Sequence, residues 1–142
     1  MATSPLGMPR GVNEPTVYDT VGGEAFFREL VDHFYDNVEA DEPLVALYPE
    51  RDDLGPARER FRLFLSQFFG GPRTYTDTRG HPRLRMRHLP FTVDEDGRDR
   101  WLRAMRSAMD VMDIDPAIDA TMWEYFVQSA EFMRNDRIPE QD

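Results

Sequence analysis

The sequence predicts an all-α domain, on three observations. Apolar residues recur three and four positions apart in four separate stretches, the spacing that builds one apolar face on a helix. Helix-stopping or helix-starting residues stand between those stretches: Gly22-Gly23, Gly70-Gly71-Pro72 and Asp115-Pro116. No segment alternates polar and apolar residues for long enough to make a convincing strand.

The first substantial helix opens after Val21-Gly22-Gly23 and runs over about residues 24–40. Phe26, Phe27, Leu30, Val31, Phe34, Tyr35 and Val38 form its apolar half-cylinder. Asp41-Glu42-Pro43 ends it, and Pro43 suits the first turn of a short helix ending near Tyr48-Pro49. After a loop over Arg51 to Gly55, Pro56 starts a helix with the stripe Phe61, Phe64, Leu65, Phe68 and Phe69. Gly70-Gly71-Pro72 stops it. Thr74 to His81 reads as an irregular loop. Pro82 opens a short helix through Leu84 and His88, which Pro90 keeps from continuing. A long helix over about residues 95–112 turns Trp101, Leu102, Met105, Ala108, Met109 and Met112 inward. Asp115-Pro116 caps and starts the last helix, with Ile118, Met122, Tyr125, Phe126, Ser129 and Met133 on its inner side. The whole is four substantial helices with two or three short ones.

At 142 residues the chain makes one domain. Its 40% hydrophobic content is too high for general disorder. The expected organisation is a flexible N-terminal extension over residues 1–14, a folded domain over 15–135 and a flexible tail over 136–142. The absence of cysteine excludes disulfides, thiolate zinc sites, iron–sulfur clusters, covalently attached c-type haem and cysteine nucleophiles. No apolar stretch approaches the ~18 residues of a membrane span. Met1 to Glu14 has no apolar signal core, so the expected location is cytoplasmic. A net charge of −10 repels phosphate backbones, which argues against nucleic acid as a partner. All 17 basic residues are arginine, so no Schiff-base or P-loop lysine is available.

Three histidines are candidates for chemistry. His33 falls near the polar edge of the first helix, as a surface or boundary residue. His81 lies in the loop sequence Gly80-His81-Pro82. His88 follows Leu84 by four, on the same side as an apolar neighbour, and Leu89-Pro90-Phe91 restrains it from the C-terminal side. A lone histidine on an apolar face is more often a hydrogen-bonded core residue than a ligand. Where cysteine is absent, however, neutral imidazole is the usual axial ligand of haem iron. Around His88 stand Arg73, Arg79, Arg83, Arg85 and Arg87 against a single acid, Asp77. This basic island is either a solvated face pairing with acidic helices or an anion site, since guanidinium forks match carboxylates and phosphates. Haem is an apolar disc with two carboxylates at one edge. Aromatic stripes, an inward histidine and nearby arginines fit it better than they fit a nucleotide, and no glycine-rich phosphate loop is present. Tyr35, Tyr48 and Trp101 each bring one polar hydrogen to an apolar face. They either bond to backbone carbonyls or converge on a ligand opposite His88.

These residues also carry a family resemblance. Tyr18-Asp19-x-Val21-Gly22-Gly23 resembles the opening of truncated haemoglobins. Gly70-Gly71-Pro72-x-Thr74-Tyr75, followed by Gly80-His81-Pro82-x-Leu84-Arg85-x-Arg87-His88-x-Pro90-Phe91, is similar to group II of that family. Phe34-Tyr35, Tyr48-Pro49 and Trp101 also fall where the family has them, and the match spans about Thr16 to Met133. The resemblance implies a truncated globin, a two-over-two helical sandwich enclosing non-covalent haem b, over residues 15–135. It implies His88 as the proximal iron ligand and Tyr35, Tyr48 and Trp101 as a distal cage. It places Ala57 where longer globins carry a distal histidine, with Phe61 one turn further. Arg60, Tyr75, His81 and Arg85 are the implied propionate contacts, with Phe91 also at the cofactor. The implied function is reversible dioxygen binding at a five-coordinate iron, with slow release. Carbon monoxide, nitric oxide and peroxide are further ligands. The alternative is a haem oxidoreductase, peroxidase-like or detoxifying nitric oxide, served by an external reductase because no such domain is fused here. A haem-free helical interaction module is the third reading. Relatives of this group are often dimers, so a homodimer is among the implied partners.

Overall fold

The hydroxyl of Thr16 accepts the Asp19 N–H at 3.0 Å, and the Asp19 carboxylate accepts the Thr16 N–H in return. This reciprocal cap starts a five-residue helix, α1 (Val17–Val21). Five residues are too few to show a periodicity, which is why the hydrophobic pattern does not predict α1. The computed structural model describes residues 15–73 and 93–134. Its further helices are α2 (Glu24–Glu39), α3 (Glu42–Val45), α4 (Gly55–Phe68), α5 (Glu95–Val111) and α6 (Pro116–Phe132). Among the described residues there is no strand. The expected loop over Thr74 to His81 and the short helix from Pro82 lie outside the described residues.

The capping residues explain most boundaries. Asp41 accepts the Leu44 N–H at 3.2 Å, Asp94 the Gly97 N–H at 2.9 Å and Asp115 the Ala117 N–H at 3.1 Å. Each aspartate so satisfies a donor that the first turn of a helix leaves unpaired. α3 is shorter than the sequence predicts. Past Val45 the chain continues in single turns, with Leu47 N–H bonded to Leu44 O and Tyr48 N–H to Val45 O, both at 3.0 Å.

The chain divides into two compact units. The first comprises α1, residues 24–32 of α2, and α4. Its core is aromatic: Phe27 and Phe69 are fully buried with Leu30 and Leu65. Tyr18 stacks on Phe27 at 6.0 Å between centroids, and Phe27 on Phe69 at 5.7 Å. The Tyr18 N–H donates to Phe69 O at 2.9 Å, tying α1 to the end of α4. That approach requires the glycine pair after α4. Gly70 has φ of +108°, and a Cβ there would stand 2.4 Å from the Thr16 Cβ. A Cβ on Gly71 would stand 2.7 Å from the Tyr18 ring and 2.8 Å from the Ser66 carbonyl oxygen. On the surface of this unit, Arg28 and Arg62 share the Glu24 carboxylate and Arg58 pairs with Asp32 at 3.1 Å.

The second unit comprises residues 33–39 of α2 with α3, α5 and α6. Phe34, Val38, Leu44, Leu54, Met105, Ala108, Met109, Met122 and Phe126 make its core. Asn37 Nδ2 donates to the Ala104 carbonyl at 3.0 Å, a polar contact from α2 into the backbone of α5. Arg106 pairs with Asp119 at 2.6 Å and lies over the Trp123 ring at 4.9 Å, joining α5 to α6. Trp101, Leu102, Met112, Ile118, Tyr125, Phe61 and Phe68 are half-buried, so the predicted stripes are broader than the fully buried core. No described helix is long and apolar enough to cross a membrane.

The glycine pair makes a checkable claim. Gly70→Ala is expected to lower stability by about 2 kcal/mol or more, because clash adds to left-handed strain. Gly22, at φ +110° with nothing within 4 Å of the place a Cβ would take, is the control for strain alone. Gly22→Ala is expected to cost about 1 kcal/mol. Equal urea midpoints for the two variants would remove the clash with Thr16 from the account.

Candidate functional site

In the second unit three elements each contribute one polar side chain to an apolar setting. Tyr35 sits on the buried face of α2 at 5% exposure. Tyr48 ends the single turns that follow α3. Trp101 lies on α5, two turns from its start. The rings interlock edge to face: Tyr35 with Tyr48 at 5.8 Å and 74°, and Phe34 with Tyr35 at 4.9 Å and 76°. Trp101 packs between Phe34 at 5.0 Å and Phe126 at 5.9 Å.

The polar atoms meet at the Tyr48 hydroxyl, which hydrogen-bonds with both the Trp101 and the Tyr35 side chains. An indole can only donate, so the Tyr48 oxygen accepts from Trp101 Nε1. Burial pushes the Tyr48 pKa well above the ordinary tyrosine value, and the two hydrogen bonds offset only part of that rise. The phenol, neutral at physiological pH as any tyrosine is, keeps its proton to higher pH than usual. Beside Tyr48 and Trp101 lies a cavity of about 20 Å³ walled by Leu44, Leu47, Val93 and Met133. It has room for one small molecule, and its apolar walls offer water few partners.

Of the residues that the sequence singles out, the structure brings Tyr35, Tyr48 and Trp101 together. Ala57 is buried in the first turn of α4, with Arg60 and Phe61 half-buried about one turn further along; all three belong to the first unit. His33 is half-buried on α2. Arg73, the first arginine of the basic island, is exposed. Tyr75, His81, Arg85, His88 and Phe91 lie outside the described residues, as do Asp77, Arg79, Arg83 and Arg87. Among the described residues no group of three or more His, Asp or Glu is placed to hold a metal ion.

Comparison with known proteins bears on what such a site serves. The family model for bacterial-like globins matches residues 16–135. Over 128 residues the chain is 35% identical to the group 2 truncated hemoglobin YjbI of Bacillus subtilis, covering 90% of this chain and 93% of that one. Among solved structures it is similar to the thermostable haemoglobin of the actinobacterium Thermobifida fusca. That match has 51% identity and a TM-score of 0.82, over 88% of this chain and 99% of the other. It is also similar to the truncated oxygen-avid haemoglobin of Bacillus subtilis, at 35% identity and a TM-score of 0.78. There the match covers 84% of this chain and 99% of the other.

The raised Tyr48 pKa gives one pH effect with a definite sign. Unfolded, Tyr48 ionises near the ordinary value of about 10, while the folded chain holds its proton to higher pH. Its contribution to stability is complete below about pH 10 and is lost as pH rises toward the folded value. Tyr125, also raised by burial, adds to the same loss. Urea midpoints are expected to fall above about pH 10, and Tyr48→Phe to flatten part of the fall. Parallel pH profiles for the two proteins would show that Tyr48 is not held in this environment.

Proposed function

This chain belongs to the bacterial-like globin family, and on that premise we propose that it is a dioxygen-binding haem protein with slow gas release. Family membership implies a haem cofactor and diatomic gas ligands, and the chain has the two-over-two fold of its truncated-haemoglobin neighbours. The observation that carries the reading is the meeting of three polar hydrogens, from Tyr35, Tyr48 and Trp101, at one hydroxyl within an aromatic wall.

That donor set fits the implied cofactor. The three groups are neutral donors, with no carboxylate among them to repel an electron-rich ligand. With no cysteine in the chain, the cofactor is taken to be non-covalent haem b. Bound haem supplies a ferrous iron that takes up a diatomic gas reversibly. His88 is the residue proposed to hold the iron. Arg60, Tyr75, His81 and Arg85 are proposed to hold the propionates, with Phe91 also against the cofactor. Ala57 offers no imidazole, and Phe61 adds only apolar surface. The polar work on the gas therefore falls to Tyr35, Tyr48 and Trp101.

Dioxygen draws electron density when it binds, so donors aimed at it favour the bound state. One such bond is worth ~0.5–1.5 kcal/mol net. With the gas replacing the Tyr48 oxygen as the acceptor for Trp101 and Tyr35, three donors give ~2–4 kcal/mol, or roughly 30- to 1000-fold in release rate. Tyr48 stays protonated at neutral pH, so its donor is present throughout the working range. The Bacillus subtilis relative is described as oxygen-avid, and slow release from this chain accords with that.

The first test is the visible spectrum of the protein with haem, oxidised, reduced and then exposed to dioxygen and carbon monoxide. A Soret band with a reversible oxygenated form is expected; no Soret shift on adding haem would sink the reading. Trp101→Phe is expected to speed dioxygen release about tenfold or more in stopped flow, as befits ~1.4 kcal/mol from one donor. An unchanged rate would remove Trp101 from the cage. His88→Ala is expected to lose haem or bind it with an altered spectrum. Normal haem uptake with an unshifted spectrum would end the proximal assignment.

A further inference from the structure

We propose that Asp41 and Arg100 form a clamp that positions Tyr48 against Trp101, so that an ion pair outside the cage governs how fast gas leaves it. The inference rests on the cage reading above and adds two residues that it does not contain.

Asp41 stands at a corner. Its N–H donates to Val38 O at 3.1 Å, closing the α2 end, and its side chain caps α3. One of its oxygens, Oδ1, accepts two hydrogens: the Leu44 N–H at 3.2 Å and Arg100 Nη1 at 2.9 Å. Arg100 precedes Trp101 on α5, and Asp96 one turn earlier holds its Nε at 2.7 Å. A single carboxylate oxygen thus joins the α2–α3 corner to α5. Tyr35 lies six residues before that corner, Tyr48 seven residues after it, and Trp101 beside the arginine.

The apolar contacts of this region do not fix the same geometry. Leu44 and Val45 are buried and hold α3 down. Hydrophobic burial is non-directional, however, and selects a rotation of α3 less sharply than a hydrogen bond does. A hydrogen bond loses most of its strength when the donor angle opens, so the paired Oδ1 contacts select one rotation. The Tyr48 hydroxyl bonds with both Tyr35 and Trp101, and its ring packs on Tyr35 at 5.8 Å, so a shift of the turn after α3 disturbs both contacts. The ion pair is mostly but not fully buried, at 28% exposure for Arg100 and 22% for Asp41. Salt in the medium therefore reaches it.

The test uses the haem-loaded full chain and four variants: Asp41→Asn, Arg100→Gln, the two combined, and Trp101→Phe. Asparagine caps a helix as well as aspartate does, so Asp41→Asn removes the charge and keeps the cap. Each single variant is expected to speed dioxygen release at least about five-fold and to raise the carbon monoxide stretching frequency as donors withdraw. The combined variant is expected to add nothing beyond either single one. Release from the unaltered protein is expected to quicken with ionic strength, and release from Asp41→Asn to ignore it. That salt response separates positioning by charge from a general loss of structure. If Asp41→Asn does not fold, Arg100→Gln carries the same readings. Unchanged release and frequency in both single variants, with Trp101→Phe still fast, would overturn the clamp and leave the cage standing. Additive effects in the combined variant would also overturn it. If Trp101→Phe releases no faster, the cage reading fails and the clamp with it.

Discussion

A phenol taken out of water needs partners, and the second unit of this chain is arranged around meeting that need for Tyr48. Its hydroxyl accepts from the indole of Trp101 and shares a hydrogen bond with Tyr35. Each partner comes from a different helix, so satisfying one oxygen constrains α2, the turn after α3 and α5 together. The rings of Phe34 and Phe126 pack on either side of Trp101. Desolvation of Tyr48 raises its pKa, so the phenol keeps its proton above the ordinary tyrosine range.

The first unit solves a different problem, the close approach of α1 to the end of α4. Three stacked rings, Tyr18, Phe27 and Phe69, supply the apolar area. The backbone bond from Tyr18 to Phe69 needs the two segments nearly in contact, and only glycine at 70 and 71 leaves space for it. A family resemblance therefore has a steric content here. Gly70-Gly71 ends a helix, and it also leaves the opening that Thr16 and Tyr18 fill.

Much of the helical layout was legible in advance. Spacing, with the Gly, Pro and Asp residues at their ends, places α2, α4, α5 and α6 to within a residue or so, because each is long enough for its apolar period to repeat. Asp115-Pro116 announced the start of α6 by its chemistry. α1 was not legible as a helix, and α3 was predicted too long, since short helices rest on caps and contacts more than on periodicity. In the candidate site, Tyr35, Tyr48 and Trp101 were legible as donors on apolar faces. Their meeting at one oxygen was not, for it joins residues up to 66 apart in the chain. Asp41 announced itself only as a helix cap. Its second role depends on Arg100, 59 positions away, which gave no local sign of it.

By itself, then, the sequence determined the all-α class, the helix faces, the absence of thiolate chemistry and the set of polar side chains on apolar faces. These follow from side-chain type and short-range spacing, which act within a turn or two of helix. Tertiary structure alone decided which of those donors share a partner, that Tyr48 keeps its proton above the ordinary tyrosine range, and that Asp41 is bonded across to α5. Such facts depend on how close distant segments come and how much water is left between them. Hydrogen bonds and desolvation vary over fractions of an ångström, a scale that residue spacing along the chain does not specify.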